Sequence, residues 1–134
     1  MRALLLTVGM AVAAIVIASS TVDEGEVVTL ISQNGSGAYY DTQLWIVDVD
    51  GRLYLRAGSP GVQWLARLRE HPDVVLKRAD QTLAFTALPK DDPQIRATVN
   101  ERMAAKYGYA DRLWGYVGNR HESVPILLEP RPGP

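Results

Sequence analysis

The sequence predicts an α+β domain whose mainly antiparallel sheet of six strands curls into a small barrel, with helices packed outside it. Three observations predict this fold class. Strand and helix patterns follow one another in the order β-β-β-α-β-β-α-β, in which hairpins dominate. Tight-turn residues, of which Asp50-Gly51 is the clearest pair, join neighbouring strand patterns. Several strands are apolar on both faces, so both faces of the sheet must be buried against other parts of the domain.

An apolar segment precedes this domain. Residues 3–20 carry no charge and follow a single Arg2. This layout is typical of an export signal, in which Ala18-Ser19-Ser20 would be the cleavage site. The segment is also long enough to cross a membrane as a helix, and a buried core helix is a third interpretation. We therefore predict a signal peptide or membrane anchor helix at 1–20, and a membrane-anchored or exported domain at 21–134.

Composition excludes several classes of function. The chain has 134 residues, of which 47% are hydrophobic and 22% charged, which is typical of one folded domain. Its net charge of -1, with both signs mixed, gives no basic field for nucleic acid. Cysteine is absent, which excludes disulfides and thiol chemistry. No spacing of His, Asp or Glu resembles a metal site, so none is predicted.

The first half of the domain is predicted to consist of strands. Residues 26–33 are rich in β-branched side chains, and the turn 34–37 follows them. Residues 42–49 form a second strand that is apolar on both faces. Asp50-Gly51 is a strong hairpin pair and predicts 52–57 as the returning strand.

A helix is predicted next, with Ser59 as its cap and Pro60 in its first helical position. Apolar residues then recur at helical spacing. The helix should end near His71, because the proline that follows disfavours a helical residue before it. Residues 73–78 and 81–88 are two more strands, joined by a tight turn.

The last third of the chain predicts two helices and a final strand. Asp91-Asp92-Pro93 opens a helix whose apolar stripe runs to Tyr107, because acidic residues favour the positive end of the helix dipole. A short helix covers 110–115. Residues 123–130 form the last strand, in which Pro125 indicates a sheet edge or a bulge.

The stretch RAGSPGVQW at 56–64 is the best candidate for a binding site. The start of a helix offers free backbone N–H groups and a positive dipole end, which attract phosphate or carboxylate. Gly58 and Gly61 allow close approach to the backbone, and Arg56 and Arg67 add positive charge. The alternative is an ordinary capped turn with arginines at the surface. The two histidines lie in polar surroundings and are interpreted as surface residues.

A longer pattern resembles a known family. The stretch TLISQNGSGAYYDTQLWIVDVDGRLYLRAG, followed by WLARLREHPDVVL, is similar to the deazaflavin-dependent nitroreductase and quinone reductase family, and the likeness extends over 26–130. This resemblance implies a flavin-binding split β-barrel flanked by helices. The chain departs from the family pattern in two places. The glycine turn 34–41 has no basic residue for a cofactor phosphate, and Gln43 replaces a proline.

The resemblance implies an oxidoreductase that transfers hydride from a reduced 8-hydroxy-5-deazaflavin coenzyme, or from FMN, to a quinone or nitro compound. It also implies a homodimer. Tyr107 and Tyr109 are the expected catalytic residues, for substrate contact or proton donation, although either could belong only to the core or to the rim. The expected cofactor-binding residues are Trp45, Arg56, Ala57, Gly58, Ser59, Gly61, Trp64 and Arg67.

Two further hypotheses remain open at this stage. The barrel could bind a flavin, a haem breakdown product or a lipid-like ligand without turnover, which the lack of charge in the glycine turn favours. It could also be a structural or partner-binding domain that residues 3–20 hold at a membrane.

Overall fold

The computed structural model describes residues 25–117 and 120–132, so the predicted signal or anchor segment 1–20 lies outside the described residues. The strands are β1 (Val28–Gln33), β2 (Tyr39–Leu44), β3 (Ile46–Val49), β4 (Arg52–Ala57), β5 (Asp73–Arg78), β6 (Gln81–Pro89) and β7 (Val124–Pro130). The helices are α1 (Gln63–Glu70), α2 (Pro93–Tyr107) and α3 (Tyr109–Val117), and one 3-10 turn covers Arg120–Glu122.

The strands form one antiparallel sheet of seven strands in the order β2-β1-β5-β6-β7-β4-β3. The predicted α+β class is confirmed, but the prediction of six strands is wrong. The stretch 42–49 is divided at Trp45 into β2, which pairs with β1, and β3, which pairs with β4. These two strands lie at opposite edges of the sheet although one residue separates them in the chain. The sheet must therefore curl until its edges meet, which gives a half-barrel with a split at Trp45.

The predicted turns are confirmed. Asp50 and Gly51 both have positive φ, at 54° and 84°, as the tight turn between β3 and β4 requires. In the glycine turn, the side-chain oxygen of Asn34 accepts hydrogen bonds from the backbone N–H groups of Ser36 and Ala38. Gly37 completes that turn with a φ of 87°.

The predicted start of α1 is wrong. The helix begins at Gln63, after an extended Val62 that makes no side-chain cap, so Ser59 and Pro60 lie in the turn before the helix. The fixed φ of proline suits a turn as well as a first helical turn, and the Ser-Pro pair therefore could not distinguish between them. The predicted end is confirmed, since the helix ends at Glu70 and the N–H of His71 bonds to the carbonyl of Arg67.

Helix α2 starts as predicted. The Asp92 side chain accepts hydrogen bonds from the N–H groups of Gln94 and Ile95, and Pro93 occupies the first position. The helix ends at Tyr107, and α3 follows after Gly108, which adopts a φ of 56°. This short connection keeps α3 beside α2.

The expectation that Pro125 marks an edge or a bulge is wrong. Strand β7 lies between β6 and β4, and its register with β4 continues without interruption. Pro125 is tolerated because it stands near the beginning of β7, where it faces Arg56 and lies beyond the last residue paired with β6. The missing N–H therefore costs no hydrogen bond to β6, and the Pro125 carbonyl still accepts one from Lys90.

The core has two parts, one on each face of the sheet. Consecutive residues alternate between them, as Leu55 and Tyr54 do on β4. Helix α1 covers one face with Leu65 and Leu68, and α2 covers the other with Met103 and its neighbours. No helix in the described ranges is long and apolar enough to cross a membrane.

Candidate functional site

A cavity of about 330 Å³ opens at the split, where the chain passes from β2 to β3. This volume is at the lower end of the range for small-molecule sites. Because β4 and α3 close the opposite side, the cavity has walls from the barrel edge and from a helix. Its lining residues are Val27, Gln43, Leu44, Trp45, Arg56 and Trp114.

Arg56 is held at the cavity by contacts on several sides. Strand alternation turns it to the face that carries α2 and α3, and only 3% of its side chain is exposed. Its guanidinium donates hydrogen bonds to Asp111 at 2.8 Å and to the side-chain oxygen of Asn100 at 3.0 Å. The same group lies 3.8 Å from the ring centre of Trp114 and 5.9 Å from that of Trp45. Burial lowers the pKa of Arg56 and the bond to Asp111 opposes that change, so the guanidinium stays charged.

Asp111 connects α3 to the sheet. Its side chain is 1% exposed, and its second oxygen accepts a hydrogen bond from Arg120 at 2.8 Å. Because a buried carboxylate is costly unless it is paired, this bridge between two arginines fixes the position of α3. Trp114, one helical turn after Asp111, is thereby brought over Arg56.

The other wall of the cavity is supported by Tyr107. The rings of Trp45 and Tyr107 are stacked, with centres 4.3 Å apart and an angle of 8° between their planes. The Tyr107 hydroxyl accepts a hydrogen bond from the N–H of Ile46 and donates one to the carbonyl of Glu26. Burial raises the pKa of Tyr107 to about 12. This hydroxyl therefore holds β3 and the start of β1 together at the split.

A second charged cluster lies beside the split. The Glu26 carboxylate accepts hydrogen bonds from Arg78 at 2.8 Å and from Lys106 at 2.6 Å. The Arg78 guanidinium first, and then Lys106, hold the pKa of Glu26 at about 2. Lys106 also donates to the carbonyl of Ile46, the first residue after the crossing. The cluster therefore fixes the chain on both sides of the cavity.

The structure brings together some of the residues that the sequence singled out. Trp45 and Arg56 line the cavity. Ala57 is buried in β4 but faces the part of the core that α1 covers, and Gly58 follows it. A Cβ atom at Gly58 would lie 3.5 Å from Cζ2 of Trp114, which is an ordinary van der Waals contact, so Gly58 lies beside α3 but this position does not require a glycine.

Other predicted site residues lie elsewhere and do not line the cavity. The Arg67 guanidinium stacks 4.1 Å from the centre of the Tyr40 ring, and Trp64 packs against the core. A Cβ atom at Gly61 would meet nothing within 4 Å. The Tyr109 side chain is 68% exposed. Ser59 belongs to the turn before α1 and does not cap the helix.

Three site residues were missed by the sequence analysis, namely Asn100, Asp111 and Trp114. The helical spacing of Asp111 and Trp114 was visible, but nothing in the sequence indicates that Asp111 is buried or that it faces Arg56. No group of three His, Asp or Glu side chains that could hold a metal occurs in the ranges 25–117 and 120–132.

Solved structures share this fold. A conserved hypothetical protein from Mycobacterium tuberculosis has a TM-score of 0.64 at 18% identity, over 98% of this chain and 86% of that one. An F420-H2 dependent reductase (FDR-A) has a TM-score of 0.57 at 19% identity, over 75% and 92%. The heme storage protein HutZ from Vibrio cholerae has a TM-score of 0.64 at 15% identity, over 80% and 82%.

These likenesses establish the fold class. The structures that share the fold include F420-dependent reductases, F420 being a deazaflavin, so the split-barrel fold implied by the sequence resemblance is confirmed. No protein-family model matches the chain. No curated protein matches its sequence.

Proposed function

We propose that this protein is an oxidoreductase that binds a deazaflavin or flavin ring in the cavity at the split and transfers hydride to a quinone or nitro compound. One observation carries the proposal: two indole rings and a buried guanidinium converge on a cavity in a split-barrel fold. The solved structures with this fold include reductases that use F420.

The side chains that line the cavity are of the kinds that bind a flat aromatic ring. Trp45 and Trp114 offer aromatic faces, and Leu44 and Val27 add apolar walls. Gln43 provides an amide at the rim, which can both donate and accept hydrogen bonds. Aromatic walls with a few polar groups are typical of cofactor sites.

The bound ring would supply the hydride chemistry, and the side chains of the protein would bind and orient it. Trp45 is supported by its stack on Tyr107, and Trp114 by the bridge through Asp111, so contacts within the protein position both walls. Arg56 adds a positive charge that its buried partners hold in place at the cavity.

A second candidate function is ligand binding without turnover, for a flavin, a haem breakdown product or an apolar molecule. The state of the two predicted proton donors favours it. The Tyr107 hydroxyl is occupied by backbone partners and has a pKa raised to about 12, and Tyr109 is exposed. HutZ, which shares the fold, is described as a heme storage protein.

We also propose that the chain is a homodimer and that residues 3–20 direct it to, or across, a membrane. Exposed Tyr39 and Tyr40 on the edge strand β2, at its end beside the glycine turn, support an interface along this edge of the sheet. The uncharged length of residues 3–20 supports the membrane role.

The first experiment is a fluorescence titration of the full chain with the deazaflavin coenzyme and, separately, with FMN. We expect saturable micromolar binding of one of them. Trp114→Leu should weaken it about tenfold or more, because stacking on the ring is lost. Far-ultraviolet circular dichroism checks that this variant is folded. Absence of binding by both cofactors would reject the proposal.

Turnover separates the two candidate functions. Reduction of a quinone by the cofactor-loaded protein would establish the oxidoreductase. Binding without any turnover of quinone or nitro compounds would establish the binding protein.

A further inference from the structure

We propose that the cavity at the split is selective for planar ligands that carry a negative charge on or beside the ring. The inference rests on the proposed function only in taking this cavity as the ligand site, and it adds the charge class of the ligand. It follows from the way in which charged side chains are distributed around the cavity.

The first surplus of positive charge lies behind Trp114. Within the part of the chain that the structure describes, Asp111 is the one carboxylate paired with Arg56 and Arg120, at 2.8 Å from each. One negative charge therefore neutralises only one of two positive charges. Trp114 lies against both guanidiniums, 3.8 Å from that of Arg56 and 5.8 Å from that of Arg120.

A second surplus lies behind Trp45. Glu26 is bonded to Arg78 and to Lys106, so one carboxylate pairs with two cations, and Asp48, which also attracts Arg78, offsets part of the excess. It is linked to the cavity wall through Tyr107, which stacks on Trp45 and lies 5.4 Å from the Lys106 ammonium.

The lining itself adds no opposing charge. Its six residues are apolar, aromatic or amide side chains apart from Arg56, and none is a carboxylate. Both surpluses are partly or fully buried, where charges interact more strongly than in water. A ring bound in the cavity beside Arg56 would therefore lie in a positive field. Because no lining group within 25–117 and 120–132 is an acid, we expect an anionic ring to bind at least about tenfold more tightly than a neutral one of the same shape.

A matched pair of fluorescent probes tests this inference. 8-Anilinonaphthalene-1-sulfonate and N-phenyl-1-naphthylamine share one ring system and differ by the sulfonate. We expect the sulfonate probe to bind the full chain at one site per chain, at least about tenfold more tightly than the neutral probe. The preference should fall as salt rises from about 0.02 to 0.5 M, since salt screens the field.

Variants locate the effect in the cavity. Arg56→Met should reduce the preference to less than about threefold, and Asp111 keeps Arg120 as a partner in this variant. Arg120→Met removes the surplus charge while leaving the Arg56–Asp111 pair, so it tests the same point if Arg56→Met does not fold. Arg102→Met is the control, because this exposed arginine on α2 is absent from the lining.

Equal affinity for the two probes would overturn the inference. So would an equal loss in Arg102→Met, which would indicate general attraction to the surface. The proposed function and this inference can be rejected independently of each other. Sulfonate selectivity without binding of either flavin would retain the charge class and reject the oxidoreductase. Flavin binding without sulfonate selectivity would retain the oxidoreductase proposal and reject the charge class.

Discussion

The buried pair of Arg56 and Asp111 is the residue-scale feature on which the site depends. Each side chain is at most 3% exposed, and each would be costly to bury alone. The pair fixes the cavity side of β4 to α3, and Trp114 takes its position from it. Stability and the shape of the candidate cavity are therefore coupled at this pair.

Asp111→Asn should reduce the free energy of unfolding by about 2–4 kcal/mol, because two arginines lose their charged partner. Urea unfolding followed by circular dichroism measures this. Asp91→Asn is the matched control, since the Asp91 carboxylate is 90% exposed in its pair with Arg96. That variant should lose less than about 0.5 kcal/mol. Equal losses would contradict the importance of burial.

Glu26 makes stability depend on acid pH. Its pKa is lowered from 4.5 to about 2 in the folded protein, so the unfolded chain takes up this proton first as pH falls. The contribution is complete above the unfolded pKa and is lost between about pH 4.5 and 2. After allowance for screening by solvent we expect roughly 1–2 kcal/mol. Unfolding measured across this range should show the loss, and Glu26→Gln should remove this component. An unchanged pH profile in Glu26→Gln would contradict the assignment.

At the scale of elements, the two main helices begin in different ways. Helix α2 starts at a side-chain cap on Asp92, whereas α1 starts at Val62 without one. The Asx cap satisfies two backbone donors that would otherwise be free. Both helices had sequence patterns typical of a capped start.

Asp92→Ala should therefore cost about 0.5–2 kcal/mol of stability, through the loss of the cap. Ser59→Ala is its matched counterpart, and we expect a change of less than about 0.5 kcal/mol, because Ser59 caps nothing. Thermal or urea unfolding of both variants decides the point. A large loss in Ser59→Ala would restore the sequence prediction.

At the scale of the whole molecule, the two parts of the core share one sheet. Leu76 belongs to the part covered by α1, and Met103 to the part covered by α2. Neither part has a sheet of its own. Along each strand, alternate residues face the part covered by α1 and the part covered by α2. The described domain should therefore unfold as one unit.

Leu76→Ala and Met103→Ala should each reduce the free energy of unfolding by about 2–5 kcal/mol, since both side chains are fully buried. Each should shift one common transition, measured in parallel by tryptophan fluorescence and circular dichroism. Transitions that separate between the two probes would show that the parts unfold independently.

The sequence by itself determined what depends on neighbours in the chain. The Asp50-Gly51 turn, the Asp92 cap, the end of α1 at His71 and most strand positions are local preferences of the backbone, and the structure agrees with them. The antiparallel class followed from these hairpins. Trp45, named from the family resemblance, and Arg56, named from a cradle at a helix start, both line the cavity at the split, and their role as site residues stays a prediction.

Only the tertiary structure decided where the strand at 42–49 divides and which charges are buried. Trp45 separates two strands because the curled sheet brings its edges together there, and no local pattern encodes that closure. Asp111 meets Arg56 across 55 residues of chain, and Trp114 reaches the cavity only because that pair holds α3 in place. Such contacts depend on how the whole sheet packs against its helices, since residues distant in sequence become neighbours only after folding.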